Sequence, residues 1–160
     1  MTVLTAAPLT AEAFAPFGDV IRAEGPYREI NAGQCRRYHD LAGLDLLEGR
    51  AGVSLFQSQI RAMPYRCDLL ERHPMGSQCF LPMDGSDYLV IVAEDCGDAP
   101  ARPLAFLARA DQGVNYSRNV WHGVLAPVSG GGLFAVIDRI GAGANLEEHR
   151  LATPLTVTLA

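Results

Sequence analysis

From residue 53 onward the chain is a succession of short apolar segments separated by Gly, Pro and Asp, and no interval between them is long enough for a crossover helix. The pattern favours antiparallel pairing over β-α-β units. Alternation of apolar and polar residues places a strand at 53–60, and short segments bounded by Gly, Pro and Asp place others at 65–73, 77–83, 87–93, 103–110, 114–117, 122–128, 133–139 and 156–159. Strands so short and so closely spaced predict an all-β fold, an antiparallel β-barrel or jelly roll with a few short helices. Residues 10–18 open on the capping residue Thr10 and close on Pro16 and Gly18, which leaves room for two helical turns at most. Phe14 and Phe17 share a face there and would pin the helix to the core. Leu44, Leu46 and Leu47 fit one irregular helical turn before Gly49, residues 142–151 a short helix, and residues 19–21 the first strand.

The 160 residues fit a single domain, 1–160, with no linker, repeat or low-complexity tract. A globule of this length buries about 70% of the surface its unfolded chain exposes. Its 49% hydrophobic and 19% charged residues are those of a globular chain. A formal charge of -5 and no basic cluster longer than Arg36-Arg37 argue against nucleic-acid binding. No apolar run approaches the roughly 20 residues of a membrane span, and residues 1–15 lack the features of a signal peptide, so a soluble, cytoplasmic chain without membrane contact is expected. Cys35, Cys67, Cys79 and Cys96 form no C-x-x-C motif and are expected as reduced thiols, with Cys79 in the core. All 13 basic residues are arginine, which removes Schiff-base, pyridoxal-phosphate and P-loop lysine chemistry. Any fixed positive charge in a site is then a guanidinium, suited to bidentate capture of a carboxylate.

Two stretches concentrate chemistry. Glu71-Arg72-His73-Pro74-Met75-Gly76-Ser77-Gln78 puts an acid, a guanidinium, an imidazole and a carboxamide at a strand end bent by Pro74 and Gly76, and Gly113-Val114-Asn115-Tyr116-Ser117-Arg118-Asn119-Val120-Trp121-His122 answers it forty residues on. Period-two parity sets Glu71 and His73 on one side, Gln78 with Phe80, and Tyr116 with Arg118 and His122, although Asn119 interrupts that last strand. The barrel is expected to bring both stretches to one small pocket at its mouth.

These two runs, with Ile30-Asn31-Ala32-Gly33, Arg37-Tyr38-His39-Asp40-Leu41 and Asp138-Arg139 in the same order, resemble the bacterial ureidoglycolate lyase (ureidoglycolate hydrolase) family over nearly the whole chain. The resemblance implies a cupin-like β-barrel, usually a homodimer, that releases urea and glyoxylate from (S)-ureidoglycolate late in allantoin and purine breakdown. Ser117 and Gly123 stand where the family often has a further histidine.

Ureidoglycolate carries a carboxylate, a hydroxyl and a ureido nitrogen on one carbon. Its cleavage needs a base for the hydroxyl proton, an acid for the departing urea nitrogen and a cation for the carboxylate. The expected assignment gives the acid–base pair to His73 and His122, the hydroxyl oxygen to Tyr116, the urea amide to Gln78 and Asn115, and the carboxylate to Arg72 or Arg118, with Arg139 as third candidate. His39 is divided between site and dimer contact, and His149 is expected at the surface. Metal-binding cupins commonly offer a close histidine pair, a carboxylate and a later histidine. Here His73, Gln78 and His122 occupy those stretches with Glu71 nearby, so no required cofactor is expected, while the resemblance implies a divalent metal such as nickel as the alternative. The competing functions are a non-catalytic small-acid-binding or sensor barrel and a metal-dependent cupin oxygenase or isomerase.

Overall fold

The computed structural model describes residues 2–160. Within them the chain runs β1 (Thr2–Pro8), α1 (Ala11–Phe14), β2 (Gly18–Ile21), β3 (Arg28–Ile30), β4 (Cys35–Arg37), β5 (Arg50–Gln57), β6 (Tyr65–Arg72) and β7 (Gln78–Pro82). It continues through β8 (Tyr88–Ala93), β9 (Leu104–Ala108), β10 (Gly113–Tyr116), β11 (Trp121–Gly123), β12 (Ala126–Pro127), β13 (Leu133–Ile140) and β14 (Glu147–Leu159). In one sheet, β11, β6, β14, β1, β9 and β8 pair in turn, and β8 pairs back to β11, which closes a mixed barrel of six strands. A second sheet has the order β2-β10-β7-β13-β5, and β3 with β4 forms a separate hairpin.

The all-β barrel expected from the sequence is present. Its ladders are mostly antiparallel, but β1 runs parallel to both β14 and β9. Residues 19–21 are therefore in the second strand. The helix expected at 142–151 is absent: Glu147 to Arg150 pair with β6 in the first part of a 13-residue strand. A long neighbour offering free ladder positions outweighs local helix preference there. No helical turn forms at Leu44 to Leu47 either, because backbone groups of this loop are taken up by Ser77 and Arg139. The N-terminal helix does form, capped by Thr10, whose Oγ1 accepts from the Ala13 N–H at 3.2 Å.

Strand β8 is buried on both faces, and β9 sends Ala105 into one core and Phe106 and Ala108 into the other, so the two strands serve two cores. Leu89, Ile91 and Ala93 point into the closed barrel with Leu70, Trp121, Leu155 and Val157. Tyr88, Val90 and Val92 point the other way, onto Phe80, Val114, Tyr116, Phe134 and Val136 of the second sheet. Phe14 of α1 is fully buried in this second core, edge-on to Tyr116 with ring centroids 5.9 Å apart. Cys67 and Cys79 are buried, and all four cysteines are free.

Candidate active site

The functional side chains gather at one end of the second core, where the two sheets come together. Glu71 on β6 stands directly opposite His122 on β11. Because side chains alternate along a strand, Trp121 enters the closed barrel while His122 enters the space between the sheets. Across that space Tyr116, Gln78 and Asp138 form one row on β10, β7 and β13. His73, just past the end of β6, bridges the two sheets by a hydrogen bond between its Nε2 and Gln78 Oε1 at 3.1 Å.

Two turns make this possible. After β10, the chain bends through Asn119 in the left-handed conformation (φ 68°), a region where Asn is tolerated better than most residues, and its N–H donates to His73 O at 2.9 Å. The bend carries the strand from one sheet to the other, so Tyr116 and His122 stack with ring centroids 4.3 Å apart and planes 9° from parallel. Beyond β6, Gly76 lies where a Cβ would sit 2.6 Å from Arg139 Cβ, so the bend at Pro74 closes only with glycine there.

The hydrogen bonds of the two imidazoles fix their orientation. His122 Nδ1 faces its neighbour's carbonyl, Gly123 O, at 3.1 Å, so Nδ1 carries the proton and Nε2 the lone pair. That Nε2 is buried and has no partner. Burial, with the neighbouring His73 adding to it, pushes His122 down to a pKa of about 3, so its ring is neutral. His73 Nδ1 faces Asn145 O at 2.6 Å, and Asn145 Oδ1 also accepts from the Met75 N–H at 2.7 Å. The two rings lie 5.3 Å apart. Burial raises the Glu71 carboxyl, an effect that His73 opposes. Burial raises the Tyr116 phenol far enough that it keeps its proton.

One ligand atom from each of Glu71, His73 and His122 falls within 4.8 Å of the others, the cluster with metal-ligand composition among the described residues. Two imidazoles and a carboxylate suit a divalent transition metal. Each ring also offers one nitrogen to a backbone carbonyl, the outer contact that metal-bound histidines usually make, and His73 Nε2 would exchange the Gln78 amide oxygen for the ion. The orphaned Nε2 of His122 completes the fit. Glu71 also lines a cavity of about 350 Å³ whose walls include Phe56, Phe80, Leu125, Ser58 and Arg61. The larger cavity of about 540 Å³, lined by Ile21, Arg36 and Tyr38, contains none of the clustered residues.

The structure thus brings together His73, His122, Tyr116 and Gln78, and it places the other expected residues elsewhere. Arg72 lies on the opposite face of β6 from Glu71, bound to Glu147 at 2.6 Å and packed on the Trp121 ring. Arg118 is partly exposed and paired with Asp45 at 2.9 Å. Arg139 ties two loops together through Leu46 O and Ala142 O. Asn115 points away from Tyr116, to Asp19 and Gly43 O. His39 lines a separate surface cavity with Tyr27 and Arg37, and His149 packs half-buried on Trp121. Parity marked Arg72 as facing away from Glu71, but nothing in the sequence revealed where the 41–49 loop would claim Arg118, Arg139 and Asn115.

A family model described as Ureidoglycolate lyase matches residues 1–158. The chain belongs to the ureidoglycolate lyase family. A ureidoglycolate lyase of Rhodobacter capsulatus is 61% identical over 152 residues, which cover 94% of each chain. Those of Brucella melitensis and Agrobacterium fabrum are 53% and 50% identical, over 91% and 94% of this chain and 88% and 92% of theirs. The two departures from the ureidoglycolate lyase pattern lie outside the cluster. Ser117 is an exposed turn residue whose N–H donates to Phe17 O. A side chain at Gly123 would meet Ile91, on the face of β11 away from His122.

Proposed function

We infer that this chain is a ureidoglycolate lyase, cleaving (S)-ureidoglycolate to glyoxylate and urea in allantoin and purine breakdown. The observation that carries the reading is the clustering of Glu71, His73 and His122, with Glu71 also lining a cavity sized for a small molecule. The reaction moves one proton: it leaves the hydroxyl oxygen as the carbonyl of glyoxylate forms, the C–N bond breaks, and the urea nitrogen takes it up. Of the three clustered groups Glu71 is the one that lines the cavity. Its carboxyl accepts the hydroxyl proton and returns it to the urea nitrogen, a general acid–base step worth about 10²–10⁴-fold. Tyr116 keeps its phenolic proton and donates a hydrogen bond to the substrate's hydroxyl oxygen. His122 is neutral, which suits a ligand better than the acid of an acid–base pair. His73, His122 and one oxygen of Glu71 would hold a divalent cation such as nickel, which leaves the other Glu71 oxygen for the proton, with Gln78 beside His73. Bound there, such an ion supplies Lewis-acid polarisation of substrate oxygens.

Glyoxylate release from (S)-ureidoglycolate by the purified chain tests the reading. Activity is expected in the wild type, with a loss of about 100-fold or more in Glu71→Gln. Chelation with metal analysis of the same sample is expected to remove activity and ion together; full activity in metal-free protein would return the imidazoles to an acid–base role. The reading also carries a homodimer and a cytoplasmic location. Val53 and Leu55, 75% and 63% exposed on the outer face of β5, support an apolar association surface that light scattering would test. No helix among the described residues is long and apolar enough to cross a membrane.

A further inference from the structure

The substrate's carboxylate needs a cation, and the three arginines singled out by sequence are all engaged elsewhere. Arg61 is the arginine on the wall of the cavity that Glu71 lines. Its Nε is buried and has no hydrogen-bond partner. Its terminal nitrogen reaches only Leu125 O, at 3.5 Å. Among the described residues it has no carboxylate partner, whereas Arg22, Arg72, Arg109 and Arg118 each have at least one. A partly buried guanidinium left this way costs stability unless something anionic completes it. Its backbone is held in place: Arg61 N–H donates to Pro127 O at 2.7 Å, and Ser58 N–H donates to Gly132 O at 2.9 Å.

We propose that Arg61 is the substrate-binding residue that captures the carboxylate of ureidoglycolate. This rests on the lyase reading above and deepens it. The guanidinium offers Nε and a terminal nitrogen as a fork, which matches the two oxygens of a carboxylate. Phe56, Phe80 and Leu125 keep the surroundings apolar, so a charge-assisted contact there is strengthened. With the acid end held at Arg61, the carbon bearing hydroxyl and urea is left to face Glu71.

The two products separate the carboxylate from the rest of the substrate, since glyoxylate is an anion and urea is neutral. Glyoxylate and urea are each titrated calorimetrically into wild-type, Arg61→Gln and Arg61→Lys protein with whatever metal it retains on purification. Loss of a charge-assisted hydrogen-bonded pair is expected to weaken glyoxylate binding by about 10- to 100-fold in Arg61→Gln, with Arg61→Lys between that and wild type and urea unchanged. Equal glyoxylate affinity in wild type and Arg61→Gln, no glyoxylate binding to wild type, or parallel loss of glyoxylate and urea binding would each overturn the assignment. Turnover is read separately: if wild type binds glyoxylate through Arg61 but releases none from ureidoglycolate, the lyase reading fails and the anion site stands.

Discussion

Gln78 shows how the orientation of one side chain can be set by a charged neighbour. Its Nε2 donates to Asp138 Oδ2 at 3.2 Å, so its Oε1 is turned to His73. The opposite amide orientation would set oxygen against carboxylate. His73 is thus held at both nitrogens, by Asn145 O on one side and by the Asp138-backed amide on the other. Asp138→Asn frees the amide to turn away from His73 Nε2, and turnover is expected to fall by up to about 100-fold, as it can when a site group is misplaced by about an ångström. Steady-state kinetics beside an unchanged melting temperature checks this. Asp138 and Arg139 are adjacent in the sequence and belong to one motif of the resemblance. In the structure they alternate: Asp138 faces the site and Arg139 braces the loops.

At the scale of elements, β6 carries two opposed functions on adjacent residues. Glu71 faces the site, while Arg72 closes β6 onto β14 and the 95–98 turn. The Arg72 guanidinium sits 4.4 Å from the Trp121 ring centre, on the far side of the strand that presents His122. Its contact with Asp95, at 3.1 Å, is Coulombic, because Nη1 lacks the geometry of a hydrogen bond. Asp98 is 92% exposed and adds little; Glu147 at 2.6 Å is the strong partner. Arg72→Met is expected to cost about 1–3 kcal/mol, since the carboxylates left behind rehydrate, and to leave KM for ureidoglycolate unchanged. Chemical denaturation and kinetics on the same sample would show it; a raised KM with unchanged stability would return Arg72 to the binding site.

For the whole molecule, buried thiols set an alkaline limit. Burial, with Asp19 adding to it, pushes Cys79 up to about 11 from an ordinary value near 9. The unfolded chain releases this proton first, so between about pH 9 and 11 the folded state binds more protons and stability falls as pH rises, by roughly 2–3 kcal/mol across the window. Cys67, also raised by burial, steepens the same slope. Cys79→Ala is expected to flatten part of it in denaturation curves at pH 8 to 11. The β-barrel, most strands after residue 53, the short capped helix and the clustering of His73, Gln78, Tyr116 and His122 all follow from period-two patterning, turn residues and two motifs, which are local properties of the chain. Tertiary structure alone decided that β1 would pair in parallel with β14 and β9, that 147–150 would be strand, and that Arg61, which belongs to neither motif, would stand at the cavity. Strand partners and cavity walls depend on segments distant in the chain, and an arginine reads the same in sequence whether a carboxylate already holds it or its Nε is left waiting for one.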